Sequence, residues 1–192
     1  MRSLDMRRII ITGMAGSGKS TLACQMAAVL DIEVFHMDSI IWQADWAKRS
    51  LLEWTGHLKE IVQKESWIIE GKGKLDTRKI AYDIQFPMAD TIIFLDFNKY
   101  LCLWRICKRT LQCFGKHKVE LSPEYPERFR GSLALLKRVW KNFQQERLAI
   151  LEELEQYANR DGKKIISIEN PSQVKSFLEQ LEQSSSSIPK KT

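Results

Sequence analysis

The chain has 192 residues, 44% apolar and 28% charged, a size and balance that suit one domain with a substantial buried core. No apolar run reaches membrane-spanning length, and Met1 to Arg8 leads straight into a short apolar segment with no signal-peptide pattern. The net charge of +6 points to anionic partners.

Arg8 to Thr12 is apolar and β-branched, as a buried parallel strand should be. It leads into Gly13-Met14-Ala15-Gly16-Ser17-Gly18-Lys19-Ser20-Thr21, which fits the phosphate-cradling pattern G-x-x-x-x-G-K-[ST]. Thr21 to Leu30 follows with helical spacing and no breaker. Strand, glycine loop and helix is the context this motif requires. Glycines at 13, 16 and 18 let the backbone wrap closely around a phosphate. The N–H groups of Gly16 to Ser20 would face one concavity at a helix N-terminus, where negative charge is favoured. Lys19 would reach the β- and γ-phosphates, and the Ser20 hydroxyl would hold Mg²⁺.

Asp31 to His36 reads as a second strand ending at Met37-Asp38-Ser39. Asp38 then lies at the carboxyl end of a strand, where open α/β sheets place ligand-handling residues. It reads as an acceptor-side carboxylate, a metal-shell ligand or a general base, or equally as a turn or N-cap aspartate. Trp42 and Trp46 follow. They could wall an acceptor pocket, or they could cover a small core. Ser50 is a candidate N-cap for a helix running to about Glu65.

Ser66 to Gly71 is a third strand, ending in Glu70. A carboxylate there could hold a water of the Mg²⁺ shell. Leu75 to Phe86 is expected to be helical. Its Arg78 could bind an acceptor phosphate or be a solvated surface arginine. Ala89 to Asp96 is a fourth strand whose terminal Asp96 competes with Glu70 for the metal-shell role. Phe97-Asn98-Lys99-Tyr100 lacks the aspartate of the guanine-reading sequence Asn-Lys-x-Asp.

Lys99 to Cys113 reads as a helix with Arg105 and Arg109 four residues apart on one face. Two guanidiniums so placed suit a polyphosphate or a base stack, or form an exposed basic stripe. Gly115 to Pro126 reads as a mobile segment, with a candidate lid over about 114–130. Glu127 to Tyr157 is mostly helical and carries Arg147. A fifth strand spans Lys163 to Ile168, and a last helix spans Gln173 to Leu181. One domain over 1–183 is expected, with 184–192 as a disordered tail. Lys99 to Arg147 holds twelve Lys and Arg against four Glu. That segment could bind nucleic acid, or close over the polyphosphate that the glycine loop already implies. The four cysteines show no C-x-x-C pairing; zinc is not expected, and reduced thiols fit a cytoplasmic setting.

The chain resembles the P-loop nucleoside-monophosphate-kinase superfamily, which includes adenylate and shikimate kinases. More closely it is similar to the bacterial topology modulation protein subfamily, an adenylate-kinase-related group. The resemblance runs from about Ile9 to Leu181. It rests on GMAGSGKST, VFHMDSIIWQADW, WIIEG, ADTIIFLDF and CLWRICKR. It implies a doubly covered α/β fold, with a five-stranded parallel sheet in the order 2-3-1-4-5, helices on both faces and a closing lid. It also implies ATP with Mg²⁺ as donor, held by Gly13, Gly16, Ser17, Gly18, Lys19, Ser20 and Thr21. Arg105 falls where such kinases carry an arginine packed on the donor base, and Arg109 where one meets the phosphates. Arg147 matches a further arginine after the lid, and Arg78 an acceptor-side arginine. Glu70-Gly71 falls where they carry Asp-Gly; this chain reads Glu70-Gly71-Lys72-Gly73 where the subfamily usually has Asp-Gly-Asn-Tyr. The implied activity is phosphoryl transfer from ATP to a nucleotide or other small acceptor, with Lys19, Arg105, Arg109 and Arg147 offsetting charge, Ser20 and Glu70 at the metal, and Asp38, Trp42 and Arg78 toward the acceptor. The alternative is an ATP-binding regulator that contacts nucleic acid through the basic 99–147 segment.

Overall fold

The computed structural model describes residues 6–43, 47–71, 73, 75–112, 129–161 and 163–186. In chain order the elements are β1 (Arg8–Gly13), α1 (Lys19–Leu30), β2 (Val34–His36), α2 (Met37–Ile41), α3 (Leu51–Val62) and β3 (Trp67–Glu70). They continue with α4 (Leu75–Gln85), β4 (Thr91–Leu95), α5 (Lys99–Gln112), α6 (Phe129–Asp161), β5 (Lys164–Ile168) and α7 (Pro171–Ser186). The five strands form one parallel sheet in the order β2-β3-β1-β4-β5, as the resemblance implied. The helices cover both faces and meet in pairs, α1 with α7, α3 with α4, and α5 with α6.

The central strands are apolar along their length because both faces are covered. Ile9, Ile10, Ile11, Ile68, Ile69, Ile92 and Ile93 are all fully buried. The carboxyl ends of β1, β3 and β4 are therefore fixed side by side, with Ile11 opposite Glu70 and Gly13 opposite Leu95. Every candidate ligand at these ends inherits that register.

Element boundaries moved where local chemistry intervened. The second strand starts at Val34 rather than Asp31. Asp31 takes a left-handed conformation, φ 56°, and its N–H bonds the Ala27 carbonyl to close α1. Ser50 caps α3 as expected, and Glu53 returns a bond of 2.8 Å to the Ser50 N–H. The last helix begins at Pro171, behind Asn170, whose Oδ1 accepts from the Gln173 N–H. It runs on to Ser186, so residues 184–186, expected in a disordered tail, are helical; apolar Phe177 and Leu181 anchor that helix in the core. Residues 187–192, Trp46 and the lid candidate up to residue 128 lie outside the described residues, and Phe129 and Arg130 open α6. No helix among the described residues is long and apolar enough to cross a membrane.

Candidate functional site

The glycine loop joins β1 to α1 and is pressed against two neighbours. A Cβ on Gly13 would sit 2.6 Å from the Leu95 carbonyl oxygen of β4. A Cβ on Gly16, where φ is +81°, would strike the Cys102 carbonyl and the Ile106 side chain of α5. The loop can lie this close to β4 and α5 only without side chains at those positions. Gly18, also left-handed, forms the N-cap of α1. The Ser17 N–H closes a turn onto Met14, and its carbonyl accepts 2.7 Å from Arg105 Nη1. Arg105 thereby ties α5 to the loop, with its guanidinium 5.0 Å from the Phe97 ring centre.

Lys19 turns back over the loop and donates to the Met14 carbonyl at 3.0 Å. Burial lowers its pKa from the ordinary lysine value; Glu70 and Asp38 oppose the shift, and Arg109 adds to it. The two carboxylates and Arg109 therefore act on one ammonium. Cys102 feels the same cation, but burial dominates and pushes its thiol up to about 11.

Glu70 ends β3 directly across from His36, which ends β2. Its Oε1 accepts from Ser20 Oγ at 3.0 Å and from His36 Nδ1 at 2.7 Å. Burial pushes the Glu70 carboxyl up, but His36, Lys19 and Ser20 outweigh it and hold the group below the ordinary carboxylate value. The His36 pKa is raised by its bond to Glu70, against a smaller opposing effect of burial.

Asp38 stands in the first turn of α2 rather than in a strand end or turn. It acts electrostatically on both Lys19 and His36. The end of that short helix is held by Arg49, whose Nη1 donates to the carbonyls of Ser39, Ile40 and Trp42 at 2.6, 2.9 and 2.9 Å. Sequence reasoning missed Arg49, because an arginine just beyond a five-residue helix is no signal by itself. His36 was missed too, although it stands in the quoted VFHMDS segment. Trp42 is half-buried and pairs with Lys48 in an isolated bridge.

Two arginines are engaged elsewhere. Arg78 is buried between α4 and α6, with its Nε 3.0 Å and its Nη2 2.9 Å from Glu153 Oε1. Arg147 grips Asp96 at the end of β4 through Nε and Nη2. Thr21 is exposed on α1. The site thus gathers the glycine loop, Lys19, Ser20, Arg105, Arg109, Glu70, His36 and Asp38. Among the described residues no group of three or more His, Cys, Asp or Glu forms a metal cage.

No protein-family model matches the chain, and no curated protein matches it. Solved structures do. A candidate kinase from Chloroflexus aurantiacus is 19% identical, with 92% of this chain and 96% of that one covered and a TM-score of 0.52. A gluconokinase from Sinorhizobium meliloti is 15% identical, with 94% and 91% covered and a TM-score of 0.50. The chain shares the P-loop kinase fold of these neighbours over nearly its whole length.

Proposed function

We propose that this chain is an ATP- and Mg²⁺-dependent phosphotransferase acting on a nucleotide or other small-molecule acceptor, organised as one domain of the topology modulation type described above. The observation that carries the proposal is the 3.0 Å contact between Ser20 and Glu70, beside Lys19 in a glycine loop. A hydroxyl and an ionised carboxylate are hard oxygen donors that suit Mg²⁺. Two such groups without a protein cage fit an ion that arrives largely coordinated by phosphates and water. Ser20 would meet it with an oxygen lone pair while its O–H goes on donating to Glu70, and Glu70 would accept hydrogen bonds from water in the ion's shell. When bound, the ion neutralises charge on the phosphates.

The remaining work falls to side chains of this chain. Lys19, Arg105 and Arg109 supply positive charge where the transferred group gathers negative charge. The acceptor oxygen bonds to the γ-phosphorus as the bond from that phosphorus to the β–γ bridging oxygen breaks, and ADP leaves. Asp38 is the carboxylate for the acceptor proton. Arg147 supports the site through Asp96, and Trp42 lies on the α2 side with Asp38. Arg78 would reach an acceptor only by giving up Glu153.

The test is Mg²⁺-dependent ADP formation from ATP, with and without nucleoside monophosphates, nucleosides and small hydroxylated metabolites. One acceptor should stimulate turnover, and Lys19→Ala should reduce it at least about a hundredfold, the scale of losing one preorganised charge donor. Unchanged turnover in Lys19→Ala would sink the mechanism.

One observation favours a second reading, nucleic-acid contact through the 99–147 segment. Tyr100, Trp104 and Trp140 are exposed on α5 and α6, with Lys99 and Lys108 over the Trp140 and Trp104 rings. Binding of single-stranded DNA or RNA that weakens steeply with salt would support it; no binding at low salt would remove it.

A further inference from the structure

We propose that His36 is a positioning residue for Mg²⁺ binding: it holds Glu70 in the orientation that serves the metal shell. The inference rests on the reading of Ser20 and Glu70 as the metal side of the site and extends it to a residue that no motif assigns. Strand register is the first support. His36 and Glu70 are partners on adjacent parallel strands, at the last position of each. The second support is the bonding pattern. Among the described residues the side-chain donors to Glu70, Ser20 Oγ and His36 Nδ1, use the same oxygen, Oε1. With Oε1 fixed from two directions, the carboxylate plane is set, and Oε2 is the oxygen that neither bond uses. A carboxylate held by one serine alone could rotate about its last torsion, which is soft. Such outer partners of metal-site groups commonly alter metal affinity when removed.

The third support is packing. β2 is a three-residue edge strand, and the His36 side chain is one-third exposed. It lies outside the fully buried core, and its hydrogen bond to Glu70 is 2.7 Å. Gly71, next to Glu70, also has a left-handed φ of +105° and would place a Cβ 3.2 Å from Met37 Cβ. The chain after His36 and the chain after Glu70 are thus packed together, which limits how far either side chain can drift.

The test is equilibrium binding of a non-hydrolysable ATP analogue to the full chain, in EDTA and across a Mg²⁺ titration. For wild type, binding should tighten with Mg²⁺. His36→Ala and His36→Phe should raise the half-saturating Mg²⁺ concentration about tenfold and leave affinity in EDTA within about twofold. His36→Phe keeps the ring volume without the donor, so it guards against a packing defect in the alanine variant. His36→Asn, whose side-chain amide can donate from nearly the same place, should recover most of the Mg²⁺ dependence. An unchanged Mg²⁺ midpoint in both donor-less variants would overturn the proposal, as would an equal loss in EDTA and in Mg²⁺. Wild-type binding indifferent to Mg²⁺ would instead overturn the metal reading on which it rests.

Discussion

Arg147 binds both carboxylate oxygens of Asp96, with Nε 2.6 Å from Oδ1 and Nη2 2.5 Å from Oδ2. Sequence left Asp96 competing with Glu70 for the metal shell, since both were read as the last residue of a strand. Their partners differ. Asp96 is held by an arginine from α6, while Glu70 touches the hydroxyl of the glycine loop. The bidentate pair should hold α6 on the sheet. Removing it by Arg147→Ala leaves a largely buried carboxylate and should cost about 2 kcal/mol in urea denaturation. Asp96→Asn should cost less, and the double variant should be less destabilised than the sum of the two. Strict additivity would mean that the contact contributes nothing.

Gly16 should tolerate no side chain. Its φ of +81° is unfavourable for other residues, and an added Cβ would meet the Cys102 carbonyl of α5. Gly16→Ala is expected to destabilise the fold by about 1–3 kcal/mol. It should also weaken nucleotide binding, because loop and α5 must separate. A melting temperature equal to wild type would contradict the close approach.

The His36–Glu70 contact gives stability a defined pH window. The Glu70 pKa is lowered from 4.5, so its contribution is present above that value and lost as pH falls through the folded value. The His36 pKa is raised from 6.5, so its contribution is complete below that value and lost as pH rises through the folded value. The stability gap between wild type and His36→Phe, in the absence of metal, should therefore be widest between about pH 4.5 and 6.5 and shrink on both sides. A gap that widens above pH 8 would refute the assignment.

The thiols should divide by environment. Cys24 and Cys107 are exposed, whereas Cys102 is buried, with a pKa pushed up to about 11. Alkylation of the native protein near neutral pH, read peptide by peptide, should label Cys24 and Cys107 at least about ten times faster than Cys102. Unfolding in urea should abolish the difference. Rapid native labelling of Cys102 would mean that α5 parts readily from the glycine loop.

Much of the fold was legible because it is local. The apolar runs around Ile9, Ile68 and Ile92 mark buried parallel strands, and the glycine spacing marks the loop that joins β1 to α1. Ser50 was readable as a cap because the capping box lies within four residues. Errors fell at ends, where single residues decide. Asp31 turned left-handed and shortened β2, while α7 ran five residues past its expected end at Leu181 to Ser186.

Local patterning carries the glycine loop, the alternation of strands and helices, and the charged residues at strand ends. Tertiary structure alone decided how those charges pair. Ser20 and Glu70 are 50 residues apart, Arg147 and Asp96 are 51, and Arg78 and Glu153 are 75. Such pairs depend on sheet register and on which helix face packs where. No local pattern encodes either, because a strand presents its terminal carboxylate identically whether a serine, a histidine or an arginine waits opposite it.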